Sequence, residues 1–352
     1  MVNYNHKKTN TMAVNAKFVH PSFKLNGFHL TYIDLSRVGY SYIKEGEDFE
    51  KQIGDFMLEW TDANDFVVVQ TSGSTGKPKQ IVIKKEAMVQ SAINTGLFFS
   101  LTPSKKAVLA LPAKYIAGKM MLVRALVLGL ELDIFPPSTK PFQRIEQDYD
   151  FAALTPLQAE KSFETLNRFK TIIIGGAPIN KDLEDKLKKL PISVFETYGM
   201  TETITHIAAK RIEEDHFTVL PNVSIKTNKD SCLIITAPYF DEDIITNDVV
   251  KLSSETSFNW LGRKDNIINT AGVKINPEVV EKKLSKHITA RFYITSKKDN
   301  SLGEKVILLI EGEKQEMEAT VFAALEKYEN PKEIIFEAVF EEVNGKVKRK
   351  RF

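Results

Sequence analysis

Two observations predict an α/β fold for this chain. Between Phe66 and Phe195, short β-branched runs alternate with helical stretches, the order expected of a mostly parallel sheet covered by helices. From Leu233 onward short strands and turns take over, and after Gly262 the chain becomes denser in lysine and glutamate. The first pattern predicts a large N-terminal α/β domain with mixed, mostly parallel sheets over residues 1–262. The second predicts a small C-terminal α+β domain over residues 263–352.

The elements follow in order. Phe66 to Gln70 reads as a buried strand, and Ile81 to Ile83 as the strand leaving the loop between them, because β-branched residues suit a pleated surface. Val89, Ile93 and Leu97 recur at four-residue spacing and predict a helix over Lys85 to Phe99. Further strands are expected at Ala107 to Leu111, ending at Pro112, and at Leu132 to Phe135, Phe151 to Leu154, Thr171 to Ile174 and Ile192 to Phe195. Helices are expected at Leu157 to Phe169 and Lys181 to Leu190. In the C-terminal part, Leu233 to Thr236 and Ser257 to Trp260 read as strands, and Pro277 to His287 and Lys314 to Tyr328 as helices. The basic run Lys346 to Arg351 reads, by composition, as a solvated tail.

Composition narrows the function classes. Hydrophobic residues make up 43% and charged residues 27%, ordinary for a globular protein. The 48 basic and 46 acidic residues nearly cancel, which gives no support for nucleic-acid binding as the main task. A single cysteine, Cys232, rules out an internal disulfide, fits a reducing compartment and sits in an apolar run, so it is expected to be buried and structural. Met1 to Asn15 is polar and lacks a signal-peptide core. The apolar stretch Met120 to Leu130 is interrupted by Arg124 and too short to span a bilayer. A cytoplasmic protein without stable membrane insertion is the expectation.

Five segments carry chemistry. Thr71-Ser72-Gly73-Ser74-Thr75-Gly76-Lys77-Pro78-Lys79 places hydroxyls, two glycines and two lysines in one short stretch. Glycine turns let amide N–H groups converge on an anion, the hydroxyls add donors, and Lys77 and Lys79 add charge. The spacing is not that of a Walker loop, and alone the segment also fits a solvated hairpin loop. Glu196 to Thr203 follows a predicted strand and so presents Tyr198, Gly199, Thr201 and Glu202 where open α/β sheets bind ligands. Tyr198 has a ring to stack on a base, and Glu202 a hard oxygen for Mg²⁺; alone, this too fits a structural loop. Gly175-Gly176-Ala177-Pro178 is small enough for a flat ring to approach. Thr246-Asn247-Asp248 and Gly262 to Ile268 supply Asp248, a carboxylate able to accept from two ribose hydroxyls, and Arg263.

In this order and spacing the segments resemble the acyl-adenylate-forming (AMP-binding) superfamily of acyl- and aryl-CoA ligases, luciferases and adenylation domains, from about Phe66 to the end. The resemblance implies that Thr71, Ser72, Gly73, Ser74, Thr75, Gly76, Lys77 and Lys79 hold the β- and γ-phosphates of ATP. It implies that Gly176, Ala177, Pro178 and Tyr198 form the adenine pocket and that Asp248 and Arg263 contact the ribose. Thr201 would contact the α-phosphate or the reacting carboxylate, and Glu202 would bind Mg²⁺. Asn247 stands where the family usually has glycine. Gly345-Lys346 matches the family's late glycine-lysine pair, which makes Lys346 the catalytic cation, and Asp265 matches the hinge about which the small domain moves. Coenzyme A is the implied co-substrate.

Tyr198 to Thr203 followed by His206-Ile207-Ala208 further resembles the o-succinylbenzoate–CoA ligases of menaquinone synthesis. An aromatic dicarboxylate needs a cation beside an apolar wall. Lys119 and Arg124 are the candidates for it, with Tyr115, Gly118 and His206 lining the acyl pocket. The family usually carries more chain before its phosphate loop, so a shortened N-terminal part is expected. A homodimer is carried as an option. Other readings are a CoA ligase for another acid, a carrier-loading adenylase and a non-catalytic nucleotide-binding protein.

Overall fold

A computed structural model describes residues 15–70, 79–143, 145–343 and 346–352, with backbone alone at Val343 and Lys346. Of these, residues 15–70, 80–154 and 161–172 form one compact unit, and residues 79, 155–160 and 173–352 form a second. This division falls at Ile172/Ile173, whereas the composition change falls near Gly262.

The first unit opens with two helices that the sequence reading did not name, Tyr32–Glu45 and Asp48–Thr61. Each starts in a capping box. The Thr31 N–H donates to Asp34 Oδ2 at 2.9 Å, and the Glu47 N–H donates to Glu50 Oε2 at 2.8 Å, so helix-start amides find acceptors before any packing occurs. The two helices meet through glycines. A Cβ on Gly54 would lie 2.5 Å from the Gly39 carbonyl oxygen, and one on Gly39 would lie 3.0 Å from the Gly54 oxygen.

The same unit holds a parallel sheet. Lys24–Leu25, Glu131–Ile134, Lys106–Leu109 and Tyr149–Leu154 are successive neighbours, with Ala107 opposite Leu132 on one side and Phe151 on the other. Phe28–His29 adds an antiparallel edge. The crossover helix Ile116–Leu128 is buried continuously from Gly118 to Val127, which explains why its sequence shows no polar face. Gly118 is a packing glycine: a Cβ there would lie 2.4 Å from the Pro112 carbonyl oxygen. The helix Lys85–Phe99 matches its expected bounds.

The second unit begins with a run of antiparallel strands. Ser193–Gly199, His206–Arg211, Phe217–Val219, Ser257–Arg263, Ile244–Ser254, Cys232–Thr236 and Ser224–Thr227 are neighbours in that order. The α/β class therefore holds, with the parallel pairs of the large sheet in the first unit and its antiparallel run in the second. Cys232 is buried, and burial pushes its thiol pKa up, as a structural cysteine requires.

A separate small sheet follows: Val273–Ile275, Ile268–Thr270, Gly303–Glu311 and Phe292–Asp299, with Glu333–Glu337 parallel to the third. Both its faces are covered. Val306, Leu308 and Ile310 join Val280 and Leu284 of the helix Pro277–Leu284, while Ile307 and Leu309 on the other face pack with Tyr293 and Phe340.

Three expectations are corrected. The stretch Leu157 to Phe169 is a short helix, Pro156–Lys161, followed by a 3-10 turn, Phe163–Arg168. The Thr165 N–H closes on Ser162 O at 2.9 Å, three residues back, and Leu166 and Phe169 are buried. Lys314 to Tyr328 has helix-forming composition but only a 3-10 turn, Ala319–Phe322. Met317, Val321, Phe322 and Leu325 pack on the small core while Val321, Ala323 and Leu325 bond three residues back, so tertiary packing overrides propensity. The basic tail is docked rather than solvated: Thr295 Oγ1 donates to Lys350 O at 2.5 Å, and the Phe352 N–H donates to Ser296 O at 3.0 Å.

No helix among the described residues is long and apolar enough to cross a membrane. The Gly39–Gly54 crossing gives a direct test of the packing argument. Gly54→Ala forces the helices apart and is expected to cost about 1–3 kcal/mol in urea unfolding. An unchanged midpoint would mean that the crossing tolerates a methyl.

Candidate active site

The site in the second unit is built on a β-hairpin. Ile244–Ser254 and Ser257–Arg263 pair so that Asp248 stands opposite Arg263, and a register shift after Val249 brings Trp260 opposite Val250. Asp248 is 7% exposed, and such a carboxylate needs donors. Tyr198 Oη donates to Asp248 Oδ2 at 2.7 Å, and Trp260 Nε1 donates to Oδ1 at 3.1 Å. Arg263 Nε lies 3.8 Å from the same Oδ1. The Asp248 N–H donates to Thr246 Oγ1 at 3.1 Å, and that hydroxyl donates to Leu233 O at 2.9 Å. Burial, and then the Asp248 charge, push the Tyr198 phenol far above its ordinary pKa, so at neutral pH it is a donor. Its ring meets Phe258 edge-on at 5.2 Å.

The strand that carries Tyr198 runs on to Gly199, where a Cβ would lie 2.4 Å from Thr205 O; only glycine lets the returning strand come this close. Between them lies a strained turn. Ile204 has φ 68°, a left-handed conformation that costs a β-branched side chain energy. The buried Thr203 hydroxyl offsets this by accepting from the Met200 N–H at 2.8 Å and sharing its one proton between Met200 O and Thr205 O, at 2.9 and 2.8 Å. Thr201 and Glu202 ride on this turn, and the Glu202 carboxylate is exposed. Nearby in sequence, Gly176 has φ +86° with open space at its Cβ position, and Ala177 and Pro178 are exposed. Gly175 is needed for packing, since a Cβ would lie 2.4 Å from Thr197 Oγ1.

Arg263 leads away from this carboxylate. Its Nη2 lies 3.4 Å from Asp265 Oδ2, which also accepts from Asn247 Nδ2 at 3.3 Å. Asn247, the residue that departs from the family pattern, thus reaches the residue expected to be the hinge. His206 is buried, with Nδ1 3.4 Å from Thr205 Oγ1.

In the first unit, Phe66–Gln70 and Gln80–Lys84 pair antiparallel up to Gln70 opposite Gln80, and this hairpin is the base of the Ser/Thr/Gly-rich loop. Thr71, Ser72, Gly73, Ser74, Thr75, Gly76 and Lys77 lie outside the described residues; Lys79 is exposed. Lys119 is buried with Nζ 2.6 Å from Glu59 Oε2 and 4.6 Å above the Phe56 ring. The other Glu59 oxygen accepts from the Val68 N–H at 2.9 Å. Arg124 is 1% exposed, and burial lowers its pKa to about 9. Tyr115 is 41% exposed and precedes the crossover helix. Lys346 forms a short strand with Val347 that pairs with Glu342–Val343.

The family follows from comparison with known proteins. A model described as AMP-binding enzyme matches residues 28–232. The chain belongs to that family. It is 31% identical to an AMP-forming acyl-CoA synthetase/AMP-acid ligase II-like protein of Dyadobacter fermentans, over 89% of this chain and 96% of that one, with a TM-score of 0.62. It is 21% identical to a 2-succinylbenzoate–CoA ligase of Listeria monocytogenes, over 91% of this chain and 76% of that protein. A Bacillus subtilis o-succinylbenzoate coenzyme A synthetase, solved with ATP and magnesium ion, shares the fold at 19% identity and a TM-score of 0.67, covering 89% of this chain and 79% of that one. The family's α/β architecture is thus the one seen here.

Sequence reasoning missed four supporting residues: Trp260, Thr246, Thr203 and Glu59. Trp260 was read only as part of a strand, and its pairing with Asp248 needs the register shift. Thr246 and Thr203 sit beside motif residues, where a hydroxyl near a carboxylate or a turn is the only signal. Glu59 carries none, since its partners are far away in sequence.

Asp248→Asn is the test of the hydrogen-bonded carboxylate. An amide offers one acceptor oxygen to two donors and turns an N–H₂ toward the other. A loss of about 1–3 kcal/mol in stability and a shift in tryptophan fluorescence from Trp260 are expected. Wild-type stability and spectrum would show the two bonds to be dispensable.

Proposed function

We propose that this protein is an ATP-dependent acid–CoA ligase that forms an acyl adenylate and then an acyl-CoA thioester, with o-succinylbenzoate of menaquinone synthesis as the leading acid. The observation that carries the reading is the Asp248 site: a buried, oriented carboxylate flanked by Tyr198 and Arg263, with Tyr198 on the strand that ends in the strained turn exposing Glu202. Asp248 and Arg263 serve the ribose; Gly176, Ala177, Pro178 and the Tyr198 ring serve the adenine. The loop from Thr71 to Lys79 grips the β- and γ-phosphates.

Glu202 suits Mg²⁺, because its carboxylate is exposed and makes no hydrogen bond or ion pair among the described residues; one carboxylate plus substrate phosphates is an ordinary set for that ion. Bound there, the ion would offset phosphate charge. As a substrate carboxylate oxygen attacks the α-phosphorus, the P–O bond to pyrophosphate breaks and negative charge grows on the phosphates. Lys346 stabilises that charge, and Thr201 orients the carboxylate or α-phosphate. The thiol of coenzyme A then attacks the activated carbonyl, AMP leaves, and the small domain turns about Asp265 between the two halves.

For the acid, the names of the relatives support o-succinylbenzoate. Lys119, which Glu59 also holds, and the buried Arg124 are the proposed cations for a second carboxylate. A buried guanidinium at lowered pKa gains most from an anion. Tyr115, Gly118 and His206 remain the proposed pocket residues, Gly118 through the close packing of its helix. The 31% identity to the Dyadobacter protein, whose description names no acid, favours a second reading: the same chemistry on another carboxylic acid.

Carboxylate-dependent pyrophosphate exchange over a panel of acids decides between the two. Stimulation by a monocarboxylate and none by o-succinylbenzoate would remove the menaquinone assignment. Lys346→Ala is expected to slow adenylation by about 10²-fold or more while ATP binding by calorimetry persists. Unchanged turnover would end the role of Lys346. Arg124→Met is expected to raise KM for a dicarboxylate by at least about tenfold and leave a monocarboxylate unaffected; equal effects on both acids would assign Arg124 to packing.

A further inference from the structure

Residues 348–352 carry contacts that the ligase reading does not use. Arg351 Nη2 donates to two backbone carbonyls, Asp265 O at 2.7 Å and Ile267 O at 3.0 Å, on either side of Asn266 in the 3-10 turn Lys264–Asn266. Its Nη1 lies 3.6 Å from Glu304. Two residues earlier, Arg349 holds Glu281 through both oxygens at 2.6 and 2.7 Å and comes within 3.9 Å of Glu278 Oε1, which accepts from Asn266 Nδ2 at 2.5 Å. Backbone pairing of Phe352 with Ser296 and Lys298 fixes the segment to the small sheet.

The same turn is held from the Asp248 side. Asp265 Oδ2 takes Arg263 and Asn247, and Lys264 Nζ lies 2.7 Å from Asp230. A rotation about the backbone of Asn266 changes the spacing of the Asp265 and Ile267 carbonyls, so it cannot keep both bonds to one guanidinium nitrogen. Both bonds have a charged donor, which makes them stronger than neutral ones.

We propose that Arg351 is a positioning residue that clamps the Lys264–Asn266 turn to the segment following Lys346. What happens at Arg263 is then passed to the strand that carries Lys346. The link is a contiguous series of contacts: Asp248 to Arg263, Arg263 to Asp265, the Asp265 carbonyl to Arg351, and Arg351 through the docked segment to Lys346–Val347. What the clamp serves rests on the ligase reading; the rigidity of the turn does not.

The test uses the full chain with Arg351→Ala and Arg351→Lys. Arg351 is about half exposed, so both variants are expected to fold. In the alanine variant, amide hydrogen exchange across residues 264–270 is expected to speed up by at least about tenfold, with the lysine variant between it and wild type. The ratio of adenylation rate to thioester-forming rate, measured with the best acid of the panel, is expected to shift severalfold in the alanine variant and recover in part with lysine. Unchanged exchange would overturn the clamp. Faster exchange with an unaltered ratio would overturn transmission to Lys346. A wild-type protein that adenylates no acid would sink the ligase reading, while the exchange experiment would still decide the clamp.

Discussion

The buried carboxylate of Asp248 is the constraint on which the second unit's site depends. A charge at 7% exposure is tolerable only if its lone pairs are taken, and the protein takes them with groups from two separate strands. Tyr198 comes from the strand Ser193–Gly199, whereas Trp260 and Arg263 come from the hairpin partner. Once these bonds are made, the Tyr198 ring and the Trp260 indole have little freedom. Satisfying one anion thereby orders an aromatic ring and an indole from separate strands.

Around that carboxylate the chain stores strain locally and places glycines where backbones must nearly touch. Ile204 is held left-handed by the Thr203 hydroxyl, which bonds three backbone groups of its own turn. Gly199 and Gly175 each stand where a methyl would strike a neighbouring strand. Gly176 differs, since its Cβ position is open and its requirement is the positive φ alone. Four residues on, Asn180 caps the next helix by accepting from the Leu183 N–H at 2.8 Å. The loop is thus anchored at both ends by backbone demands.

The strands and the principal motifs were legible in the sequence because their signals are local. β-Branched runs marked Phe66–Gln70 and Gln80–Lys84, the apolar run Phe151–Leu154 marked Tyr149–Leu154, and four-residue spacing marked Lys85–Phe99. Helices were harder wherever packing decided. The two N-terminal helices escaped notice although Thr31/Asp34 and Glu47/Glu50 carry the capping signature, while Lys314 to Tyr328 has the composition of a helix but folds as a packed turn. The tail was misread for the opposite reason. Its charges read as solvated until the structure supplied Glu281 and the turn carbonyls, none of them near in sequence. Likewise, that Lys119 is occupied by Glu59, 60 residues away, is a tertiary fact.

That Glu59 carboxylate joins three elements of the first unit: its own helix, the crossover helix through Lys119, and, through the Val68 amide, the strand that leads to the Ser/Thr/Gly-rich loop. Both of its oxygens are engaged, so the foundation of that strand does not draw on any group left over for recognising an acid. Lys119, which reads from sequence as a pocket cation, is thereby also part of the footing of the strand before the loop, so that replacing it would disturb more than the acid it faces.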